Sequence, residues 1–156
     1  MEKREIYIKV IESEIAAQNL YKSLASHCKE NQSNIFMSLI PLEKIHEEKM
    51  RKAFSEEFPG EELKVNEQVM TKTLRSPEEM RDPKNIYDFA IELENKAREA
   101  YQLLANSTGD TEMKQFFMLL AEEEGKHEEV LKDEIEKLAN TMIWFDESEL
   151  AGFMEF

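Results

Sequence analysis

The chain contains a single cysteine, Cys28. One thiol excludes an internal disulfide, a CxxC pair and any iron–sulfur centre built from cysteines of this chain alone. The lack of disulfides is typical of proteins in a reducing compartment. No apolar run approaches the roughly 20 residues needed to cross a bilayer, and the first residues lead into no signal-like apolar stretch. We therefore expect a cytoplasmic protein without a membrane partner.

Glycine and proline are also scarce, with four of each among 156 residues. This scarcity disfavours a β-sandwich and favours long helices. Basic residues are outnumbered, because 20 Lys and Arg face 34 Asp and Glu and leave a net charge of −14. Nucleic acids and anionic membranes would be repelled by this charge, so neither is an expected partner. Cations would instead be attracted to the surface.

Four stretches show the apolar periodicity of helices. They are predicted at about residues 5–29, 33–57, 83–106 and 110–140. Ser33, Pro83 and Asp110 are suitable residues for the start of a helix, and Pro59-Gly60 ends the second stretch. Short turns join the first helix to the second and the third to the fourth. Each pair is therefore predicted to form an antiparallel hairpin.

The two hairpins are joined by a longer segment at about residues 58–82, within which Ser76-Pro77-Glu78-Glu79 could start a short helix. One long crossover between two helical hairpins is the connection of the ferritin-like bundle. We therefore predict an all-α, ferritin-like four-helix bundle over residues 1–140. Residues 141–156 are too apolar for a free tail, and we expect them to dock on this bundle, with docking on a second subunit as the alternative.

The two hairpins repeat one another at offsets of 80 and 81 residues. The segment from Ile11 to Ala25 matches the segment from Ile91 to Ala105, and the segment from Phe36 to Glu48 matches that from Phe117 to Glu129. The repeat predicts that a pseudo-twofold axis relates the two hairpins.

Charged and polar residues interrupt the apolar stripe of every predicted helix. Steps of three or four residues place six of them in line with side chains that must face the core, namely Glu14, Glu43, His46, Glu94, Glu124 and His127. Each unpaired buried carboxylate costs several kcal/mol, so four would cancel a typical domain stability of roughly 5–15 kcal/mol. No Lys or Arg occupies these stripes. Two divalent cations would balance the four negative charges, and the sequence therefore predicts a dinuclear metal site.

The spacing of these residues suits metal binding. A glutamate and a histidine three residues later lie one turn apart on the same side of a helix, so Glu43 with His46 can hold one metal, and the repeated pair can hold another. A glutamate from each of two helices, with Glu-x-x-His from each of the other two, is the ligand set of di-iron carboxylate bundles. One such pair alone would more often be an exposed helix pair. Manganese is possible as well as iron, because Glu/His sites accept both.

With these motifs the chain resembles the rubrerythrin-like branch of the ferritin-like di-iron carboxylate proteins over about residues 5–140. The resemblance implies two iron ions bridged by Glu43 and Glu124, with Glu14 and Glu94 as terminal ligands. It also implies that Tyr21 and Tyr101 lie behind the ligands without binding metal. The alternative is that each tyrosine only fills the core, with its hydroxyl bonded to any buried acceptor.

The chain departs from this family pattern in three ways. Full-length rubrerythrins carry a C-terminal rubredoxin-like iron site built from cysteines, which Cys28 alone cannot form, so an external electron-donor protein is expected. The family's additional glutamate, three residues after the third-helix ligand, is replaced by Ala97. The remaining six-residue set is similar to that of bacterioferritin. No stretch clearly matches the fifth helix of cage-forming ferritins.

The sequence thus predicts a di-iron oxidoreductase that reduces hydrogen peroxide or dioxygen with electrons from the external donor, in a role related to oxidative stress. The alternative is a ferroxidase or iron-storage protein, for which iron is the substrate. About two irons on a monomer or homodimer favours the enzyme. A large hollow assembly with many irons per chain favours iron handling.

Overall fold

The computed structural model describes residues 2–27, 30–68 and 83–141. These ranges contain four helices and no strand: α1 (Lys3–His27), α2 (Glu30–Glu57), α3 (Pro83–Ser107) and α4 (Thr111–Thr141). The helix count and the all-α, ferritin-like bundle are confirmed. The predicted start of α2 is wrong, because Ser33 lies inside the helix and Glu30 begins it. The short helix predicted near Pro77 and the docking of residues 142–156 lie outside the described residues.

The two helices of each hairpin run antiparallel and form the main packing surfaces of the bundle. At one end of the first hairpin, Nζ of Lys3 at the start of α1 lies 2.6 Å from Oε1 of Glu57 at the end of α2. α1 is also antiparallel to α3, and α2 to α4, because successive contacts advance along one helix while they move back along the other. α2 continues through Pro41 without interruption.

The chain between the hairpins must return along the bundle, because α2 and α3 both run opposite to α1 and are therefore parallel. α2 has 28 residues and is about 42 Å long, which the 25 residues between Phe58 and Asp82 can span. The described part of this crossover lies beside α1, where the backbone N–H of Asn66 donates to Oε2 of Glu12 at 3.0 Å. Leu63 packs against the core from the same segment. The long crossover predicted from the sequence is thus observed over its first half.

Two apolar clusters fill opposite ends of the bundle and leave the centre to polar residues. In the first cluster, the ring of Tyr7 meets those of Phe54 and Phe117 edge-on, with centroids 6.2 and 5.8 Å apart. In the second, Phe36 stacks between two tyrosine rings at 5.8 and 5.1 Å. Aromatic packing at both ends therefore fixes the spacing of the four helices at the centre.

The buried hydroxyl of Tyr7 generates a first prediction. The side chain is fully buried, and its hydroxyl has no hydrogen-bond partner within the described residues. Burial, with the charge of Glu57 added, raises the pKa of Tyr7, so the group stays neutral. Tyr7→Phe keeps the ring contacts and removes an unsatisfied polar atom. We expect it to raise the free energy of unfolding by about 1 kcal/mol in urea denaturation.

Tyr101→Phe is the matched control for Tyr7→Phe, because the hydroxyl of Tyr101 is equally buried but donates to Glu14. Its removal takes a 2.7 Å hydrogen bond from a buried carboxylate oxygen, so stability should fall. If Tyr7→Phe destabilised the protein as much as Tyr101→Phe does, the assignment of an unsatisfied hydroxyl would be wrong.

Candidate metal centre

The residues predicted to face inward meet at the centre of the bundle, between the two apolar clusters. Each helix contributes one glutamate, and α2 and α4 each add a histidine one turn later. Their exposed fractions are only 0–6% for the full set, Glu14, Glu43, His46, Glu94, Glu124 and His127. The core-facing stripe of each helix therefore brings all six side chains together.

These side chains form two overlapping groups of four, and within each group the candidate ligand atoms lie within 4.8 Å of one another. Both groups contain Glu43 and Glu124; one adds Glu14 and His46, and the other adds Glu94 and His127. Each group thus has its own histidine, its own unshared glutamate and two shared glutamates. Glu43 and Glu124 would therefore be available to both of two ions, and each of the other four residues to one ion.

Three carboxylate oxygens in the cluster are buried without a hydrogen-bond partner within the described residues: Oε2 of Glu14, Glu94 and Glu124. A buried carboxylate oxygen without a hydrogen-bond partner is costly, and a cation is a partner that such an oxygen can bind. Carboxylate oxygens with imidazole nitrogens form a donor set that Fe²⁺ and Mn²⁺ both accept. The residues present therefore fit a pair of divalent ions.

Two tyrosines donate hydrogen bonds to the unshared glutamates. The hydroxyl of Tyr21 donates to Oε1 of Glu94 at 2.6 Å, and that of Tyr101 donates to Oε1 of Glu14 at 2.7 Å. Burial, followed by the charges of neighbouring glutamates, raises the pKa of both tyrosines well above its usual value. Both hydroxyls therefore remain donors, and each leaves Oε2 of its glutamate available. Each tyrosine therefore contacts the unshared glutamate of the opposite hairpin.

Each histidine contacts the shared glutamate of the opposite hairpin. Nδ1 of His46 lies 2.6 Å from Oε1 of Glu124, and Nδ1 of His127 lies 2.8 Å from Oε1 of Glu43. The two imidazole rings stack with centroids 5.5 Å apart. The same ring nitrogen therefore faces the carboxylates in both halves. Nδ1 is the atom through which each histidine would bind a metal.

The four carboxylates differ in protonation. Burial and the charges of Glu14 and Glu94 raise the pKa of the shared Glu43 well above its usual value. Burial and the charges of neighbouring glutamates likewise raise the pKa of Glu124. Burial also opposes ionisation of Glu14, but its hydrogen bonds outweigh this and lower its pKa to about 2. Hydrogen bonds lower the pKa of Glu94 despite its burial. Without metal, the shared pair therefore binds protons more readily than the unshared pair.

Sequence reasoning missed two buried carboxylates beside the cluster, Glu47 and Glu128, which directly follow the two histidines. Nε2 of Gln18 donates to Glu47 at 2.9 Å, and an Nη atom of Arg98 donates to Glu128 at 2.7 Å. These contacts join α1 to α2 and α3 to α4 at equivalent positions of the repeat. The repetition of a glutamate after each histidine was the signal that could have identified them.

Glu123 was also missed, and it breaks the symmetry of the cluster. Its Oε2 lies 2.6 Å from Nε2 of His46, the ring nitrogen that does not contact Glu124. The equivalent residue in the first hairpin is Leu42, which offers no carboxylate to His127. No repeat therefore marks Glu123 in the sequence. A carboxylate on the outer nitrogen of a histidine fixes the ring and makes it a stronger ligand.

The cluster is reached from two sides of the bundle. A cavity of about 230 Å³ between α1 and α3 is lined by small residues, including Ala17 and Ala97, and by the unshared Glu14 and Glu94. A groove of about 460 Å³ between α2 and α4 reaches both histidines. Ala97 stands where the resembling family has its additional glutamate. The short side chain leaves the α1–α3 side open.

Comparison with known proteins identifies this architecture. The family model described as Rubrerythrin matches residues 5–147. The chain belongs to the rubrerythrin family. A solved structure of a hypothetical protein from Pyrococcus furiosus is similar, with a TM-score of 0.78 and 30% identity over 90% of this chain and 92% of the other. No curated protein matches the chain.

Rubrerythrins are a di-iron family, and the buried Glu/His groups of this member can hold metal ions. Among the described residues, none of the helices is long and apolar enough to span a membrane.

Metal loading of this rubrerythrin-family chain is expected to release protons. Glu43 and Glu124 have raised pKa values, so below those values a metal must displace about two protons from them. Affinity should therefore increase with pH until the raised pKa values are passed. Calorimetric titration of metal-free protein with Mn²⁺ at pH 6, in two buffers of different ionisation enthalpy, counts the protons. Equal heats in both buffers would contradict the protonation of the shared pair.

Replacing Glu123 with leucine tests the asymmetry of the cluster. Glu123→Leu copies Leu42 of the other hairpin and removes the carboxylate from Nε2 of His46. We expect one of two bound ions to be held about 10- to 100-fold more weakly while the other is unaffected. Metal titration of both proteins resolves the two affinities. Glu122→Leu is the control, because this neighbouring side chain is exposed; equal weakening at both sites would refute the asymmetry.

Proposed function

We propose that the chain is a di-iron carboxylate oxidoreductase that reduces hydrogen peroxide, or dioxygen, with electrons from an external donor protein. The observation that carries this proposal is the pair of overlapping ligand groups that share Glu43 and Glu124 in a rubrerythrin-family bundle. Two ferrous ions held side by side would each supply one electron to the cleavage of an O–O bond. Hydrogen peroxide, two electrons and two protons then give two molecules of water.

The cavity between α1 and α3 supports a small oxidant as the substrate. Its volume of about 230 Å³ and its lining by Ala16, Ala17 and Ala97 admit a molecule of a few atoms. The unshared Glu14 and Glu94 lie along this cavity, whereas the histidines lie on the opposite side of the cluster. An oxidant would therefore approach from the carboxylate side. There, the bonds from Tyr21 and Tyr101 keep the unshared glutamates in place.

The electron donor is proposed to be a separate protein, because the lone Cys28 cannot form a cysteine-built redox centre in this chain. The same scarcity of cysteine favours a reducing, cytoplasmic setting in which reduced donor proteins are available. The donor would restore both ferrous ions after each turnover. The chain itself supplies only the site at which the oxidant is reduced.

A ferroxidase is the second candidate, and Ala97 is the observation that favours it. This residue leaves a six-residue set similar to that of bacterioferritin, in which iron itself is the substrate. Glu12 and Ser13 line the same cavity as Glu14, and oxygen donors along an access route suit the passage of a cation. Iron would then be oxidised at the cluster and stored or passed on.

Rapid mixing of the anaerobic protein, loaded with two Fe²⁺ per chain, with hydrogen peroxide tests the enzyme. We expect oxidation faster than that of free Fe²⁺, with one peroxide consumed per iron pair, and repeated turnover when a reductant is present. When excess Fe²⁺ is then added in air, iron content should stay near two per chain. Accumulation of many irons per chain, in a large assembly, would instead establish the ferroxidase. Oxidation no faster than that of free iron would exclude both candidates.

Two glutamine substitutions on α2 distinguish the role of a shared metal ligand from that of a buried carboxylate outside the ligand groups. Glu43→Gln removes a shared ligand, so we expect loss of the second iron and of rapid oxidation. Glu47→Gln makes the same chemical change one turn later, at a carboxylate that is also buried but belongs to neither ligand group. It should retain two irons. If both variants lost the second iron and rapid oxidation equally, any buried carboxylate on α2 would have this effect, and the shared position of Glu43 would not explain it.

A further inference from the structure

The groove between α2 and α4 exposes apolar side chains directly above the two histidines. Leu42, Ile45 and Val130 line it together with His46 and His127. The three apolar side chains are 41–44% exposed, although all are large. A cluster of exposed apolar side chains at the edge of a buried polar centre is typical of a surface that another chain segment covers.

The charge of this groove differs from that of the rest of the chain. Lys49 and Lys126 line it, and its one acidic residue, Glu123, is bonded to His46. A net charge of −14 makes a positively charged strip unusual on this protein. The groove therefore suits an occupant that is both apolar and acidic.

Residues 142–156 have this composition. They contain eight large apolar side chains, among them Trp144, Phe145 and Phe153, and four acidic residues without a single Lys or Arg. The segment directly follows α4, which forms one wall of the groove. Composition and position in the chain both favour this segment over a separate partner.

The segment is also long enough to reach the groove. Val130 lies about 16 Å along α4 from its end at Thr141, at 1.5 Å per residue. Ile45 is level with the turn of α4 between Glu124 and His127 and lies about 24 Å from that end. Fifteen residues span about 50 Å when extended and about 22 Å as a helix. By folding back, the segment reaches Val130 in either conformation and passes Ile45 when extended.

We propose that residues 142–156 fold back into the groove between α2 and α4 of their own chain, beside the two histidines. Their apolar side chains pack against Leu42, Ile45 and Val130, and their acidic residues pair with the two lysines.

Trp144 allows a direct test because it is the only tryptophan in the chain. In the metal-free, full-length protein we expect its emission to be blue-shifted and protected from acrylamide, relative to the same protein in guanidinium. Ile45→Asp places a negative charge in the groove, so the emission should shift towards the unfolded value. Leu103→Asp is the control, since Leu103 is 53% exposed but lies on α3, outside the groove. It should leave the emission unchanged.

A second groove variant keeps the test decisive if Ile45→Asp impairs folding. Lys126→Glu alters an exposed side chain, and we expect increased acrylamide quenching of Trp144 that is strongest at low salt. Circular dichroism confirms that each variant keeps its helices. The proposal is overturned if native Trp144 emits as in the unfolded chain, or if neither groove variant changes it. Loss of the blue shift on dilution would also overturn it, because the segment would then dock on a second copy.

Discussion

Repulsion among four buried carboxylates, one from each helix, is the interaction that the rest of the bundle must offset. Taking such charges out of water is costly, and none of the lysines and arginines that the structure describes is buried among them. Tyrosine hydroxyls, histidine nitrogens and protons on Glu43 and Glu124 offset part of this cost. The oxygens that remain without partners mark where cations fit. Aromatic clusters at both ends hold the helices together across this repulsive centre.

The cluster has two chemically different sides. The unshared glutamates and their tyrosines face α1 and α3, where short alanine side chains open a cavity. The histidines lie on the other side, in the groove between α2 and α4, which is lined by apolar residues and lysines. The division follows from topology, because Glu-x-x-His occurs only on α2 and α4, which are antiparallel neighbours. The sequence repeat gives each side its own internal symmetry, and Glu123 disturbs it on the histidine side alone.

The sequence was sufficient for the fold and the central residues because both depend on which face of a helix a side chain occupies. Apolar periodicity indicates that face directly, and the same pattern occurs in both hairpins. Helix ends were less predictable: Ser33 is a suitable capping residue, yet α2 begins at Glu30. Glu123 lies off the core-facing stripe and has Leu42 as its repeat equivalent, so neither pattern identifies it. Its contact with His46 depends on the packing of α2 against α4, which only the folded chain defines.

The contacts that join one hairpin to the other have a consequence for how such a centre could arise. Each hairpin carries one unshared glutamate, one Glu-x-x-His pair and one tyrosine, but the shortest hydrogen bonds between these groups, at 2.6–2.8 Å, join one hairpin to the other. A single hairpin therefore holds half of the ligands and none of these short bonds. Two identical hairpins, associating as separate short chains, would rebuild the same set of contacts. Duplication and fusion of such a half-length chain would then have freed positions 42 and 123 to diverge.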